Sequence, residues 1–253
     1  MTSRVAVVTG AARGIGAATA RGLLADGCTV VGVDVLPPSE DALPDTNDAG
    51  RFERSICDVS DEVAVAELMA DVADRHGRLD VLANVAGRVL VRPLAETTWE
   101  DYRRTVDVNL GGTFLMCKHA IPLMRERGGA IVNIASISGH IGQTDHAVYA
   151  ATKGAILSLC RALAWELAPY RIRVNSVSPG SVDTPMLRGD IEIESRKRGL
   201  PYDRVKAERE AEQALGRWAQ PAEIADAVAF LAGERASFIT GADLLVDSGW
   251  VAR

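Results

Sequence analysis

The sequence predicts one α/β domain over residues 1–253, a doubly wound parallel β-sheet with helices on both faces. Three observations carry this. Short apolar runs alternate with stretches of helical period from one end of the chain to the other. The runs are nearly continuous in apolar character, as in strands buried on both faces. No linker, repeat or low-complexity tract divides the 253 residues.

The elements follow in order. "RVAVVTG" is a first strand ending in glycine, and "IGAATARGLLADG" a helix closing on Gly27. "CTVVGVDV" is a second strand, "ALPDTNDAG" a loop and "RFERSICDV" a third strand. "SDEVAVAELMADVADRHG" is a helix with Ser60 and Asp61 as candidate caps. "LDVLANVAG" is a fourth strand, followed by one long helical stretch from about Thr98 to Arg127. "GAIVNIAS" is a fifth strand. "VYAATKGAILSLCRALAWELAP" is a helix ended by Pro169, and "IRVNSVSPG" a sixth strand. A charged segment covers residues 186–217, before the helix "PAEIADAVAFLAGE" and a last short strand in "DLLVDSG".

Composition narrows the function. The 28 basic and 34 acidic residues leave a net charge of -6, which argues against nucleic acid as the main partner. The short basic run "SRKRG" reads as a solvated turn or helix end. No apolar stretch is expected to approach the roughly 20 residues that span a bilayer. The N-terminus enters a strand at once, leaving no room for a signal peptide. Cys28, Cys57, Cys117 and Cys160 lie far apart without C-x-x-C spacing, which suits a reducing cytoplasm better than a disulfide framework. The four histidines lack metal-ligand spacing, and no carboxylate or thiol pattern supports His140 and His146, so no metal is expected.

In a doubly wound sheet, ligands bind beyond the carboxyl ends of the strands, and the informative motifs fall there. "TGAARGIG" joins the first strand to the first helix and spaces Gly10, Gly14 and Gly16 as G-x-x-x-G-x-G. Glycines there permit a tight turn and a close approach to a pyrophosphate, which the helix N-terminus favours. Arg13 and Ile15 belong to the same loop. Asp34, 18 residues beyond Gly16, ends the second strand, where a carboxylate can accept from both ribose hydroxyls and repel a 2′-phosphate. That favours NAD over NADP, although Arg13 could pair with a 2′-phosphate. Asp58 follows the third strand, placed for an adenine edge with Val59 beside it. "NVAG" supplies Asn84, Ala86 and Gly87, whose small neighbours admit a cofactor.

Taken together these motifs resemble the short-chain dehydrogenase/reductase family, whose fold is Rossmann-like. The resemblance covers nearly the whole chain: T-G-x-x-x-G-I-G at 9, "NVAG" at 84, "NLGGTF" at 109, "IVNIAS" at 131, Y-x-x-x-K at 149, "SPGSVDTP" at 178 and "FITGADLLVDSG" at 238. Val85 departs from the Asn or Ala usual there. The resemblance implies a catalytic group of Asn109, Ser136, Tyr149 and Lys153, with Ser136 at the family's spacing of 13 residues before Tyr149. Ser138 fits the serine role less well. Proton transfer at a carbinol oxygen must accompany hydride transfer to or from nicotinamide. Tyrosine, with a free pKa near 10, needs help from a nearby cation. Lys153, one helical turn from Tyr149, is expected to lower that pKa and to hold the nicotinamide ribose. Ser136 would orient the substrate oxygen. Asn109 is expected to interrupt its helix and hold a water that links Lys153 to solvent. Pro179, Gly180, Val182 and Thr184 follow the sixth strand as candidate cofactor contacts, and the resemblance implies that the Val182 backbone and the Thr184 hydroxyl meet the carboxamide.

By the same resemblance, residues 186–217 form a lid over the substrate. The loop at 139–148 offers His140, Gln143 and His146, with Ser138 nearby, as candidate substrate contacts. The helix after Tyr149 is apolar around most of its circumference, as expected of a subunit contact, and the implied assembly is a homotetramer, with a dimer second. The leading expectation is an NAD-dependent oxidoreductase of a secondary alcohol or ketone. An NADP-linked 3-oxoacyl-thioester reductase is the nearest alternative. A non-catalytic nucleotide-sensing regulator would be expected to have lost part of the catalytic group, and all four residues are present.

Overall fold

A computed structural model describes residues 3–37 and 50–252; most of the loop expected in "ALPDTNDAG" lies outside them. Seven parallel strands form one sheet in the order β3-β2-β1-β4-β5-β6-β7. They are β1 (Val5–Thr9), β2 (Thr29–Asp34), β3 (Phe52–Ile56), β4 (Val81–Asn84), β5 (Gly129–Ile134), β6 (Ile172–Pro179) and β7 (Asp243–Val246). β1 and β4 are buried at every position, which is why their sequences run apolar without alternation.

Helices cover both faces. On one side, α2 (Glu62–His76), α4 (Gly112–Met124) and α5 (Ala147–Leu167) pack over Val7, Val31, Leu82 and Ile131. On the other, α1 (Gly14–Ala25) and α8 (Pro221–Ala232) pack over Ala6, Val8, Val30 and Val132. Of the two candidate caps on α2, Asp61 is the one used: its Oδ1 accepts from the N–H of Val63 and of Ala64.

The helix expected over residues 98–127 is divided. α3 (Trp99–Val106) starts with a Thr98–Asp101 capping box, a π turn occupies Asp107–Gly111, and α4 follows. The charged segment holds α6 (Pro185–Arg198) and α7 (Tyr202–Ala211), which gather a small core of Ile191, Val205 and Trp218. Contrary to expectation, the helical stretch Ala147–Tyr170 is long and apolar enough to cross a membrane by length and composition alone. The apolar residues of α5 are accounted for otherwise, because Ile156, Leu157, Cys160, Ala164 and Leu167 lie in the core beneath the sheet.

Candidate active site

The sheet order reverses between β1 and β4, and a cleft of about 950 Å³ opens beyond their carboxyl ends. Gly10, Arg13, Gly14, Ile15, Gly16, Asp34, Asp58, Val59, Ala86, Gly87 and Thr184 line it, as the sequence suggested. Gly10 sits at φ 71°, and a Cβ there would lie 2.9 Å from the Ala86 nitrogen. A Cβ on Gly16 would lie 2.0 Å from the Gly10 oxygen. The two glycines therefore let the first loop fold against the turn after β4. Thr9 locks that turn, its Oγ1 accepting from the N–H of Val85 and of Ala86, each at 3.0 Å.

Asp34 is oriented by backbone. Its Oδ2 accepts from the Ala12 N–H at 3.0 Å and its Oδ1 from the Leu36 N–H at 3.1 Å. Asp58 turns one oxygen to the N–H and hydroxyl of Ser60, at 2.9 and 2.7 Å.

Three expected contacts take other positions. Asn84 points into the core, where its Nδ2 donates to Asn133 Oδ1 at 2.8 Å, so it braces β4 against β5 and does not line the cleft. Pro179 completes β6 and pairs with Val246. Gly180 lies under the last turn, where a Cβ would come within 3.0 Å of Asp247 Cα. Val182 is buried, and a parallel bridge to Ala219 is made through its neighbours: Ala219 N–H donates to Ser181 O and Asp183 N–H to Ala219 O. Neither the N–H nor the C=O of Val182 has a hydrogen-bond partner among the described residues.

The four residues that the resemblance implied as catalytic lie together beside Gly87, which lines the cleft. A Cβ on Gly87 would sit 3.3 Å from Asn109 Oδ1 and 3.7 Å from Lys153 Nζ. Asn109 lies in the π turn and is fully buried. Its Oδ1 accepts from the Arg88 N–H at 2.8 Å, and its Nδ2 donates to Arg88 O at 2.9 Å and to Thr152 Oγ1 at 3.1 Å. The π turn thus aims a side chain at the loop after Gly87, which a continuous α-helix would not do. Lys153 is buried and donates to Ile134 O at 2.8 Å. Its Nζ stands 5.7 Å from the Tyr149 ring centroid. Ser136, directly after β5, has its Oγ 3.2 Å from Ser138 Oγ, and Ser138 in turn donates to Gln143 Oε1.

Burial acts on both members of the Tyr149–Lys153 pair. Burial pushes the Tyr149 hydroxyl above its ordinary value; a hydrogen bond with Ser136 opposes this, and Asp190 adds to the rise. Burial likewise brings the Lys153 ammonium down, from 10.5 to about 8.

Of the loop candidates, Ser138 links Gln143 to Ser136, and His146 stands beside Tyr149. The His146 ring meets the Tyr149 ring edge-on, 6.2 Å between centroids. His140 is held elsewhere: its Nε2 is bound to Asp243 Oδ2 at 2.8 Å and lies 3.2 Å from Ser178 Oγ, fastening this loop to β7.

A comparison with known families matches residues 10–251 to the model described as enoyl-(acyl carrier protein) reductase. The cis-4-hydroxycyclohexanecarboxylate dehydrogenase of Sinomonas cyclohexanicum is 44% identical, over 98% of this chain and 97% of that protein. The chain is a short-chain dehydrogenase/reductase. The L-fucose dehydrogenase of Oryctolagus cuniculus is 42% identical, over 97% of this chain and 84% of that protein. A crystal structure of a single-residue variant of actinorhodin polyketide ketoreductase with NADPH superposes with a TM-score of 0.91 at 36% identity, covering 99% of this chain and 98% of that one. As a member of this family, the dehydrogenase/reductase acts on CH–OH groups with a nicotinamide cofactor.

The residues present fit that cofactor. α1 begins without a side-chain cap, so the N–H groups of Gly14, Ile15 and Gly16 open onto the cleft for a diphosphate. The orphaned N–H and C=O of Val182 match the donor and acceptor of a carboxamide. A bound nicotinamide supplies the hydride acceptor or donor; the protein holds the substrate oxygen and handles its proton.

Three residues of the short-chain dehydrogenase/reductase site escaped sequence reasoning. Thr9 and Thr152 stand inside quoted motifs, but their roles depend on partners 76 and 43 residues away. Asp190 lies in the charged segment with no spacing signature at all.

Proposed function

We propose that this protein is an NAD-dependent dehydrogenase of secondary alcohols in which Tyr149 takes the carbinol proton. The observation that carries this reading is the convergence of Asn109, Lys153, Ser136 and Tyr149 beside Gly87, which lines the same cleft as Asp34. In oxidation, the Tyr149 oxygen accepts the proton while Ser136 holds the substrate oxygen in line. Lys153, beside Gly87, is placed for the ribose hydroxyls. Asn109 fixes the loop against which that ribose rests. α6 and α7 close the cleft as a lid.

The choice of NAD rests on Asp34. Two backbone N–H groups fix its carboxylate, which leaves lone pairs free to accept from ribose hydroxyls, where a 2′-phosphate would meet like charge. Arg13 supports the second reading, an NADP-linked 3-oxoacyl-thioester reductase, but it is exposed at the rim of the cleft. Steady-state kinetics should give a kcat/KM at least about tenfold higher with NAD than with NADP, the worth of one or two charge-assisted hydrogen bonds. Asp34→Asn should erase most of that ratio. A preference of the unaltered protein for NADP would overturn the assignment.

We place the protein in the cytoplasm as a homotetramer. Four free, buried cysteines fit a reducing compartment. Apolar side chains stand exposed in two separate regions: Phe114 on α4 with Trp165 on α5, and Phe238 with Leu244 and Leu245 along the open edge strand β7. Two self-complementary contacts on different faces generate a tetramer of dihedral symmetry, whereas one gives a dimer. Light scattering at micromolar concentration should return the mass of four chains, and a monomer would refute the assembly.

A further inference from the structure

Beyond Tyr149 stands a set of polar groups that the proton transfer does not use. His146 Nδ1 lies 2.6 Å from the carbonyl oxygen of Thr144. A carbonyl only accepts, so Nδ1 carries the hydrogen and the neutral ring presents Nε2 as an acceptor. Gln143 uses its Oε1 to accept from Ser138, which leaves its amide N–H groups as donors. Neither His146 Nε2 nor the Gln143 amide nitrogen has a hydrogen-bond partner among the described residues.

Asp190 completes the set from the lid. It lies one helical turn after Met186, which lines the cleft, and so shares its face of α6. Its carboxylate interacts electrostatically with both Tyr149 and His146. Among the described residues it accepts no hydrogen bond. Arg209, which also acts on it electrostatically, is committed to Glu194 through two nitrogens and to Glu212 through a third contact. Asp190 is half-buried, and that burial raises its carboxyl above its ordinary value.

Two acceptors and one donor, close to the proton-transfer tyrosine, complement a substrate that carries further hydroxyl groups. They oppose one that carries a carboxylate. Resting on the reading as a secondary-alcohol dehydrogenase, we propose that Gln143, His146 and Asp190 recognise a hydroxyl on the carbon next to the carbinol, so that the preferred substrate is a neutral vicinal diol, polyol or sugar. The adjacent hydroxyl donates to Asp190 or His146 and accepts from Gln143. The carbinol itself stays on Ser136 and Tyr149. A mono-alcohol leaves the half-buried Asp190 carboxylate without a partner, which is what makes such a site reject an analogue lacking the hydroxyl. An anionic substrate brings like charge to the same carboxylate.

Three probes on one ring separate these terms: cyclohexanol, cis-cyclohexane-1,2-diol and 4-hydroxycyclohexanecarboxylate, each with NAD at pH 9, followed by NADH absorbance. The protein should use the diol with a kcat/KM about tenfold or more above the other two, the worth of a hydrogen bond to a charged group. Asp190→Ala should bring the diol-to-cyclohexanol ratio close to one. Asp190→Asn, which keeps an acceptor oxygen and removes the charge, should raise use of the carboxylate relative to the diol. Ratios cancel any general loss from a disturbed lid, and NADH fluorescence titration reports whether each variant is folded. His146→Phe lowers the same ratio should Asp190→Ala fail to bind NADH. Equal use of diol and cyclohexanol, an unchanged ratio in the folded variants, or the carboxylate as best substrate overturns the recognition set while leaving the alcohol reading in place. Turnover of none of the three, with NADH still bound, overturns the alcohol reading and the recognition set with it.

Discussion

Replacing Tyr149 with Phe should lower kcat by about a thousandfold while leaving NADH affinity within a few-fold of the unaltered protein. The magnitude is that of a positioned acid/base, worth roughly two to four powers of ten, or about 3–5 kcal/mol of barrier. The substitution deletes one oxygen and keeps the ring, so the edge-on contact with His146 and the packing of α5 survive. In the proposed binding mode the cofactor would be held chiefly by groups that the substitution does not touch: the N-terminus of α1, Asp34, Val182 and Lys153. NADH fluorescence titration separates the two effects. Wild-type turnover in Tyr149→Phe would remove Tyr149 from the chemistry. Because burial holds the Tyr149 hydroxyl above its ordinary value, the rate of alcohol oxidation should climb with pH as tyrosinate forms. Ketone reduction, which needs the protonated form, should fall over the same range.

The fold was legible because its signals are local. A strand buried on both faces reads as an unbroken apolar run, and each of the seven does so or ends in a telling glycine or acid. The glycine loop was equally plain, since the clash that a Cβ would cause at Gly10 or Gly16 leaves no other residue type for those positions. What stayed hidden depends on the third dimension. β4 is buried at all four positions, so nothing in its sequence told whether Asn84 faced the cleft or the core. His140 looked like a substrate contact because its partner, Asp243, lies 103 residues downstream. The π turn left no mark on the apolar spacing of residues 98–127; the family resemblance alone pointed to the interruption at Asn109, where the turn sets that side chain against Arg88. The opposing pulls on Tyr149 and Lys153 arise from burial, and burial at a site is the quantity a motif reports least.

That burial leads to the second large effect, an activity loss coupled to a stability gain. Lys153→Met should reduce turnover by orders of magnitude and yet raise the melting temperature at pH 7. In the folded protein burial brings the Lys153 ammonium from 10.5 down to about 8. The folded state therefore binds fewer protons than the unfolded state between about pH 8 and 10.5, and stability rises with pH across that window. Below it the protein carries the full cost of the buried cation, roughly 3 kcal/mol at 1.36 kcal/mol per pH unit. Methionine has nearly the same length and no charge, so it fills the site without that cost. Losing the hydrogen bond from Nζ to Ile134 O returns about 1 kcal/mol of the gain. The remainder, about 1–2 kcal/mol, corresponds to a rise of roughly 2–6 °C for a chain of this size. Thermal melts at pH 7 and pH 10 test the sign. The advantage of Lys153→Met should shrink at pH 10, where the unfolded lysine also begins to lose its proton. A variant less stable than the parent at pH 7, or an advantage that grows with pH, would mean that Lys153 is held as a structural cation. The predicted pattern means instead that the fold tolerates a destabilising charge at the one position where it can meet the ribose beside Tyr149.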